Sequence, residues 1–191
     1  MPLRGEAATL AALFAVPGPF SMRLVVVCAA LAPLALSACN SAAPDLRFDP
    51  AEAAFIRQEG KATIEGQAFL RDRQGHLNVR YAAGEVVRLI PATAYAQARF
   101  AQFYGTRKFI PALFMPTPTQ EAEYAAYTRT TKAGATGRFA FDKVAPGRYL
   151  VTTQLTWVPK GGLLSDGGAM YDEIVVTGKE TDPIEVVLSG N

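Results

Sequence analysis

A single histidine, His76, is the only imidazole available for acid–base work or metal binding. Its neighbours Arg73-Gln74-Gly75 read as a turn, which makes it a solvated side chain. Zinc sites draw on several imidazole or carboxylate ligands plus a general base, so a two-histidine zinc site within one chain is excluded. A Ser-His-Asp triad would have to recruit the same His76, and no Gly-x-Ser-x-Gly elbow follows residue 39. Ser165 and Ser189 lie in polar loop or tail sequence. No glycine loop followed by Lys-Ser or Lys-Thr is present to cradle a phosphate. Asp166, Asp172 and Glu173 flank Gly167-Gly168, but their spacing is not that of a calcium loop, and a solvated loop is the plainer reading. The sequence calls for no metal and no cofactor.

Aromatic side chains are the other candidates. Tyr95, Phe100, Phe103 and Tyr104 lie close to Arg99, Arg107 and Lys108, a mixture suited to a ligand or a lipid surface. Trp157 with Tyr171 has the makings of a sugar-stacking platform. The competing reading of both groups is packing, because aromatic residues at helical spacing usually serve a core.

The two cysteines, Cys28 and Cys39, stand in and just after an apolar run. Met22-Arg23 starts basic, Leu24 to Leu36 is apolar, and Ser37-Ala38 supplies small residues before Cys39. That three-part plan is a secretory signal, and the run is shorter than the roughly 20 apolar residues of a membrane span. Leu36-Ser37-Ala38-Cys39 resembles the lipobox of bacterial lipoproteins. The resemblance implies a diacylglyceryl group on the Cys39 thiol, cleavage before it, and acylation of the new amine. Two or more acyl chains give stable membrane attachment where one gives only reversible binding. Asn40 at the second position of the cleaved chain implies, by the same resemblance, the outer membrane facing the periplasm. Cys28 leaves with the leader, so no internal disulfide is expected. Residues 1–38 are read as a signal region whose true start is Met22, 39–48 as a lipidated tether, and 49–191 as one domain.

These residues must be positioned by the remaining chain, and about 150 residues bury roughly 70% of their unfolded surface, enough for one core. The 191 residues carry 19 Lys and Arg against 17 Asp and Glu, with no long run of one sign, which argues against nucleic acid as a partner. Asp49-Pro50-Ala51-Glu52 reads as a helix start with Glu52 in capping-box position, and Gly60 as its left-handed end. Strands are predicted over 62–70 and 85–90, then a helix over 93–104 capped by Thr93 and stopped by Gly105. Residues 108–119 read as a loop, 121–131 as a strand and 132–137 as a turn. Phe139 and Phe141 alternate inward, Ala145-Pro146-Gly147 turns the chain, and Tyr149, Val151, Thr153, Leu155 and Trp157 share one face of a long strand. A loop over 160–169 and strands over 170–176 and 183–188 complete the chain. The expected fold is therefore all-β: an antiparallel sandwich of about seven strands, with one or two short helices in an N-terminal segment and an insertion.

Gly137-Arg138-Phe139-Ala140-Phe141, followed by Pro146-Gly147-Arg148-Tyr149, resembles the carboxypeptidase regulatory-like domains, which are transthyretin-like (prealbumin-like) sandwiches. Thr63-Ile64-Glu65-Gly66-Gln67-Ala68 and Val87-Arg88-Leu89-Ile90 are similar to their first strands. The resemblance spans Lys61 to Leu188 except for 91–119, which is longer than the usual link. It implies a fold and leaves function open. The leading expectation is a non-enzymatic, lipid-anchored envelope module that binds another envelope protein or a glycan. The alternative is a carbohydrate- or small-ligand-binding lipoprotein using the aromatic insertion 95–114. A hydrolase with an unrecognised site is the third.

Overall fold

Alternation of side chains along each strand sorts the residues into an inner and an outer set, and the two inner sets meet as a sandwich. A computed structural model describes residues 47–71, 78–116 and 122–190. The strands are β1 (Glu59–Arg71), β2 (Val79–Tyr81), β3 (Val86–Pro91), β4 (Phe109–Pro111), β5 (Arg129–Lys132), β6 (Arg138–Val144), β7 (Gly147–Trp157), β8 (Asp166–Val176) and β9 (Ile184–Gly190). The helices are α1 (Pro50–Ala53), α2 (Ala94–Tyr104) and α3 (Ala122–Ala126), with 3₁₀ turns at Ala54–Arg57 and Ala112–Phe114.

Strand β1 is central to a four-stranded sheet. Gly66 pairs with Phe139 on β6 and with Val186 on β9, and Phe69 pairs with Tyr81 on β2 and with Ser189 on β9. Hence β6 and then β2 follow one edge of β1, and β9 follows the other. The second sheet has the order β4-β8-β7-β3-β5, antiparallel throughout. The all-β sandwich is as expected, with nine strands among the described residues in place of about seven. One ladder departs from the antiparallel plan, because β1 and β9 run parallel. The main core lies between the sheets. Ile64, Ala68, Leu70, Phe139, Phe141, Val186 and Leu188 face Val87, Leu89, Tyr149, Val151, Met170 and Ile174. The Tyr149 hydroxyl donates to the Ala145 carbonyl at 2.8 Å, which satisfies its one polar atom within the core.

A second, smaller core covers the outer face of the five-stranded sheet. On β7, Leu150 points away from Tyr149 and Val151, and with Ile90 it meets Phe48, Ala53, Tyr95, Ala96 and Tyr124. Helix α2 begins as read: the Thr93 hydroxyl accepts from the Ala96 N–H at 3.1 Å. It also stops as read, at Gly105, whose φ of 61° suits glycine. Asp49 caps α1 through the Ala51 N–H at 2.8 Å.

Several local expectations are corrected. Glu52 closes no capping box; its carboxylate accepts from the Ala94 N–H at 2.8 Å and ties α1 to the start of α2. Gly60 does not end a helix but lies in β1, where a Cβ would run into the Val144 carbonyl. The strand expected over 121–131 is helix α3 followed by β5. Alanine at 122, 125 and 126 favours helix, and the α-turn lets Tyr124 reach Phe48 and Tyr95. The loop over 108–119 contains β4, too short to show alternation. The glycine loop over 160–169 gives way to β8 at Asp166: Gly167 and Gly168 pair with Thr156 and Leu155 on β7, and glycine at 168 leaves room for the Ile110 carbonyl of β4. Phe48, assigned to the tether, is buried, so the folded unit reaches back at least that far.

Candidate functional site

The aromatic candidates fall into two places. Tyr95 and Tyr104 are buried in the layer beneath α2, and Phe100 and Phe103 are half-buried beside them. The Tyr104 ring lies 4.4 Å from Tyr171 and 4.8 Å from Phe103, and Phe100 lies 5.0 Å from Tyr171. The Tyr104 hydroxyl shares a 3.0 Å hydrogen bond with the Thr152 hydroxyl, and burial pushes its phenol up to about 12 against that bond. Arg99 donates to the Tyr95 hydroxyl at 3.1 Å and lies over the Tyr95 and Tyr124 rings. These rings seat α2 on the sheet and present no aromatic platform. Trp157 belongs to the other group, at the far end of β7 against the main core. Its ring packs on Gly167, and the Arg80 guanidinium sits 4.6 Å above it. The hollow beside it, lined by Arg71, Phe109 and Asp166 among others, holds about 50 Å³. Tyr171, its expected stacking partner, sits instead with Phe100 and Tyr104.

Cys39, the lipobox residues Leu36, Ser37 and Ala38, the leader and His76 lie outside the described residues. Among the described residues, no helix is long and apolar enough to cross a membrane. No group of three or more His, Cys, Asp or Glu among them is placed to hold a metal ion.

A larger concavity lies on neither aromatic group but on the outer face of the four-stranded sheet. An open groove of about 490 Å³ is lined by Glu65, Gln67, Arg138, Ala140, Glu185 and Val187, with Lys132 at its side. The register explains the grouping. Glu65 pairs with Ala140 on one side and Glu185 on the other, and Gln67 pairs with Arg138 and Val187. Three strands far apart in sequence thus contribute their outward residues to one surface. The Gln67 side-chain amide donates to the Thr136 carbonyl at 2.8 Å, which orients its oxygen. None of Glu65, Glu185, Lys132 and Arg138 forms an ion pair with another of the four. Beyond Gln67 on the same face of β1 stands Phe69, in edge contact with Tyr81 at 6.4 Å; Tyr81 is 42% exposed and Val187 58%. Where the five-stranded sheet carries α2 and the aromatic layer on its outer face, this face is left bare by the described residues.

Chemically the groove offers carboxylate acceptors, guanidinium and ammonium donors, an amide oxygen, and small apolar patches between them. Its signal in the sequence is the polar member of each alternating strand, a signal shared by every solvated sheet face. Nothing in that signal marks these residues out one by one, whereas the aromatic candidates stand out by residue type.

No protein-family model matches the chain, and no curated protein matches it. Among solved structures, it is similar to a protein of Pseudomonas aeruginosa provisionally described as carbohydrate-binding. The two share 26% identity and a TM-score of 0.64, over 76% of this chain and 99% of that one.

Proposed function

We propose that this chain is a non-enzymatic binding module of the bacterial envelope, anchored by lipid at Cys39, that holds an extended carbohydrate on the bare face of its four-stranded sheet. The observation that carries the reading is the asymmetry of the sandwich: one outer face is sealed by a second core, and the other presents a groove with unspent hydrogen-bonding capacity. Sugar hydroxyls donate and accept, so they match a surface that mixes carboxylates, cations and an amide. Their C–H faces suit Ala140, Val187, Phe69 and Tyr81. A small ligand is usually enclosed over 70–90% of its surface; an open groove cannot do this, and an extended polymer running along it gains contact by length. The likeness to the Pseudomonas protein supports the ligand class. The leader and Leu36-Ser37-Ala38-Cys39 support the anchor and the outer-membrane address, and the motif around Phe139 and Pro146 supports kinship with carboxypeptidase regulatory-like domains.

The test is a panel of bacterial envelope polysaccharides probed with the purified protein and with Gln67→Ala/Arg138→Ala. Each lost hydrogen bond is worth roughly 0.5–3 kcal/mol, so the double variant should weaken binding at least about fivefold. Unchanged binding by that variant, with loss in Trp157→Ala, would move the site to the end of the sandwich.

A further inference from the structure

The register of β4 against β8 pairs Phe109 with Met170 and Pro111 with Gly168, so β4 runs toward the start of β8. The 3₁₀ turn Ala112–Phe114 therefore emerges beside the loop that joins β7 to β8. Together they expose Leu113, Phe114, Val158, Leu163 and Leu164, each 61–98% accessible. Within residues 112–116 and 158–165 the single charged side chain is Lys160, and there is no carboxylate. At the base of the loop stand Arg80, over the Trp157 ring, and Arg71. The nearest acid along the loop, Asp166, accepts from the Gly167 N–H at 2.8 Å.

We propose that this end of the sandwich seats in the interface of an anionic lipid bilayer. Leucine, phenylalanine and valine on projecting loops whose one charged side chain is Lys160, with Arg71 and Arg80 outnumbering Asp166 at the base, match an apolar layer beneath negative headgroups. The patch is too small for a stable protein partner, which typically engages roughly 20–30 residues a side. The tip lies apart from the place where the described chain begins. Phe48 enters the fold beside Leu150, and Leu150 stands seven residues from Trp157 on β7, or about 23 Å. It is also independent of the carbohydrate reading, whose groove lies on the other sheet.

Trp157 is the only tryptophan in the chain and adjoins Val158, so it reports on the tip without a label. The full chain carrying Cys39→Ser is mixed with vesicles of phosphatidylethanolamine and phosphatidylglycerol containing acyl-brominated lipid. Trp157 emission should be quenched, less so in phosphatidylcholine vesicles and less so at high salt. Leu163→Ser/Leu164→Ser, at exposed positions that the fold does not need, should weaken vesicle binding by about tenfold or more. No quenching overturns the proposal. So does equal quenching in the double variant, which would assign the contact to the leader. A dimer in sedimentation equilibrium that the double variant dissolves would make a second copy the occupant and would also overturn it.

Discussion

Phe48 closes the second core from the N-terminal side, with its ring 5.3–5.8 Å from Tyr127, Tyr124 and Tyr95. Phe48→Ala is expected to cost roughly 3–5 kcal/mol in urea unfolding; a loss below about 1 kcal/mol would show that α2 and α3 hold without it. Three phenols make the fold sensitive to alkali. Burial pushes Tyr104, Tyr124 and Tyr149 up to about 12 from an ordinary 10.0. The folded chain keeps their protons where the unfolded chain releases them. Their stabilising share is therefore full below pH 10 and is lost as pH rises from 10 to 12. Thermal melts across that window should fall steadily, and Tyr104→Phe should flatten the fall; a melting temperature constant to pH 12 would contradict the assignment. At Cys39, replacement by serine should leave unprocessed precursor and no palmitate label. Labelling at the wild-type level would place the lipid elsewhere.

Elements differ in how plainly they are written in the chain. β6 and β7 were legible because Phe139, Phe141, Tyr149, Val151 and Leu155 recur at period two and turn one face of each strand into the main core. Phe141→Ala is accordingly expected to cost roughly 3–5 kcal/mol. Helix α2 was legible from both ends, by Thr93 and Gly105, and Thr93→Ala should cost about 1 kcal/mol, read by urea unfolding. Helix α3 was not, since five residues are too few to show a period and its tyrosine suits a strand. Strand β4 owes its existence to an edge of β8 rather than to its own three residues. The parallel pairing of β9 with β1 joins segments more than a hundred residues apart, and no local pattern encodes which edge a strand will take. Gly66 shows the same limit: it reads as a strand glycine, but its need comes from Phe139 and the Val186 carbonyl, against which a Cβ would press.

At the scale of the whole molecule, two sheets with alternating strands yield two outer faces, and the sequence treats them differently. On the five-stranded sheet, Ile90 and Leu150 point outward and demand cover, which the segment between β3 and β5 supplies together with Phe48. The inserted aromatics that suggested a ligand contact are spent there. On the four-stranded sheet the outward residues are Glu65, Gln67, Arg138, Ala140, Glu185 and Val187, which need no cover. The groove was invisible in the sequence because its members come from three separated segments and look, one by one, like ordinary solvent-facing residues. The most direct check is amide NMR of the protein titrated with a polysaccharide that it binds. Shifts concentrated on residues 65–69, 138–140 and 185–187 are expected. Shifts confined to the Trp157 end or to α2, with that face silent, would contradict the assignment of the bare sheet as the carbohydrate site.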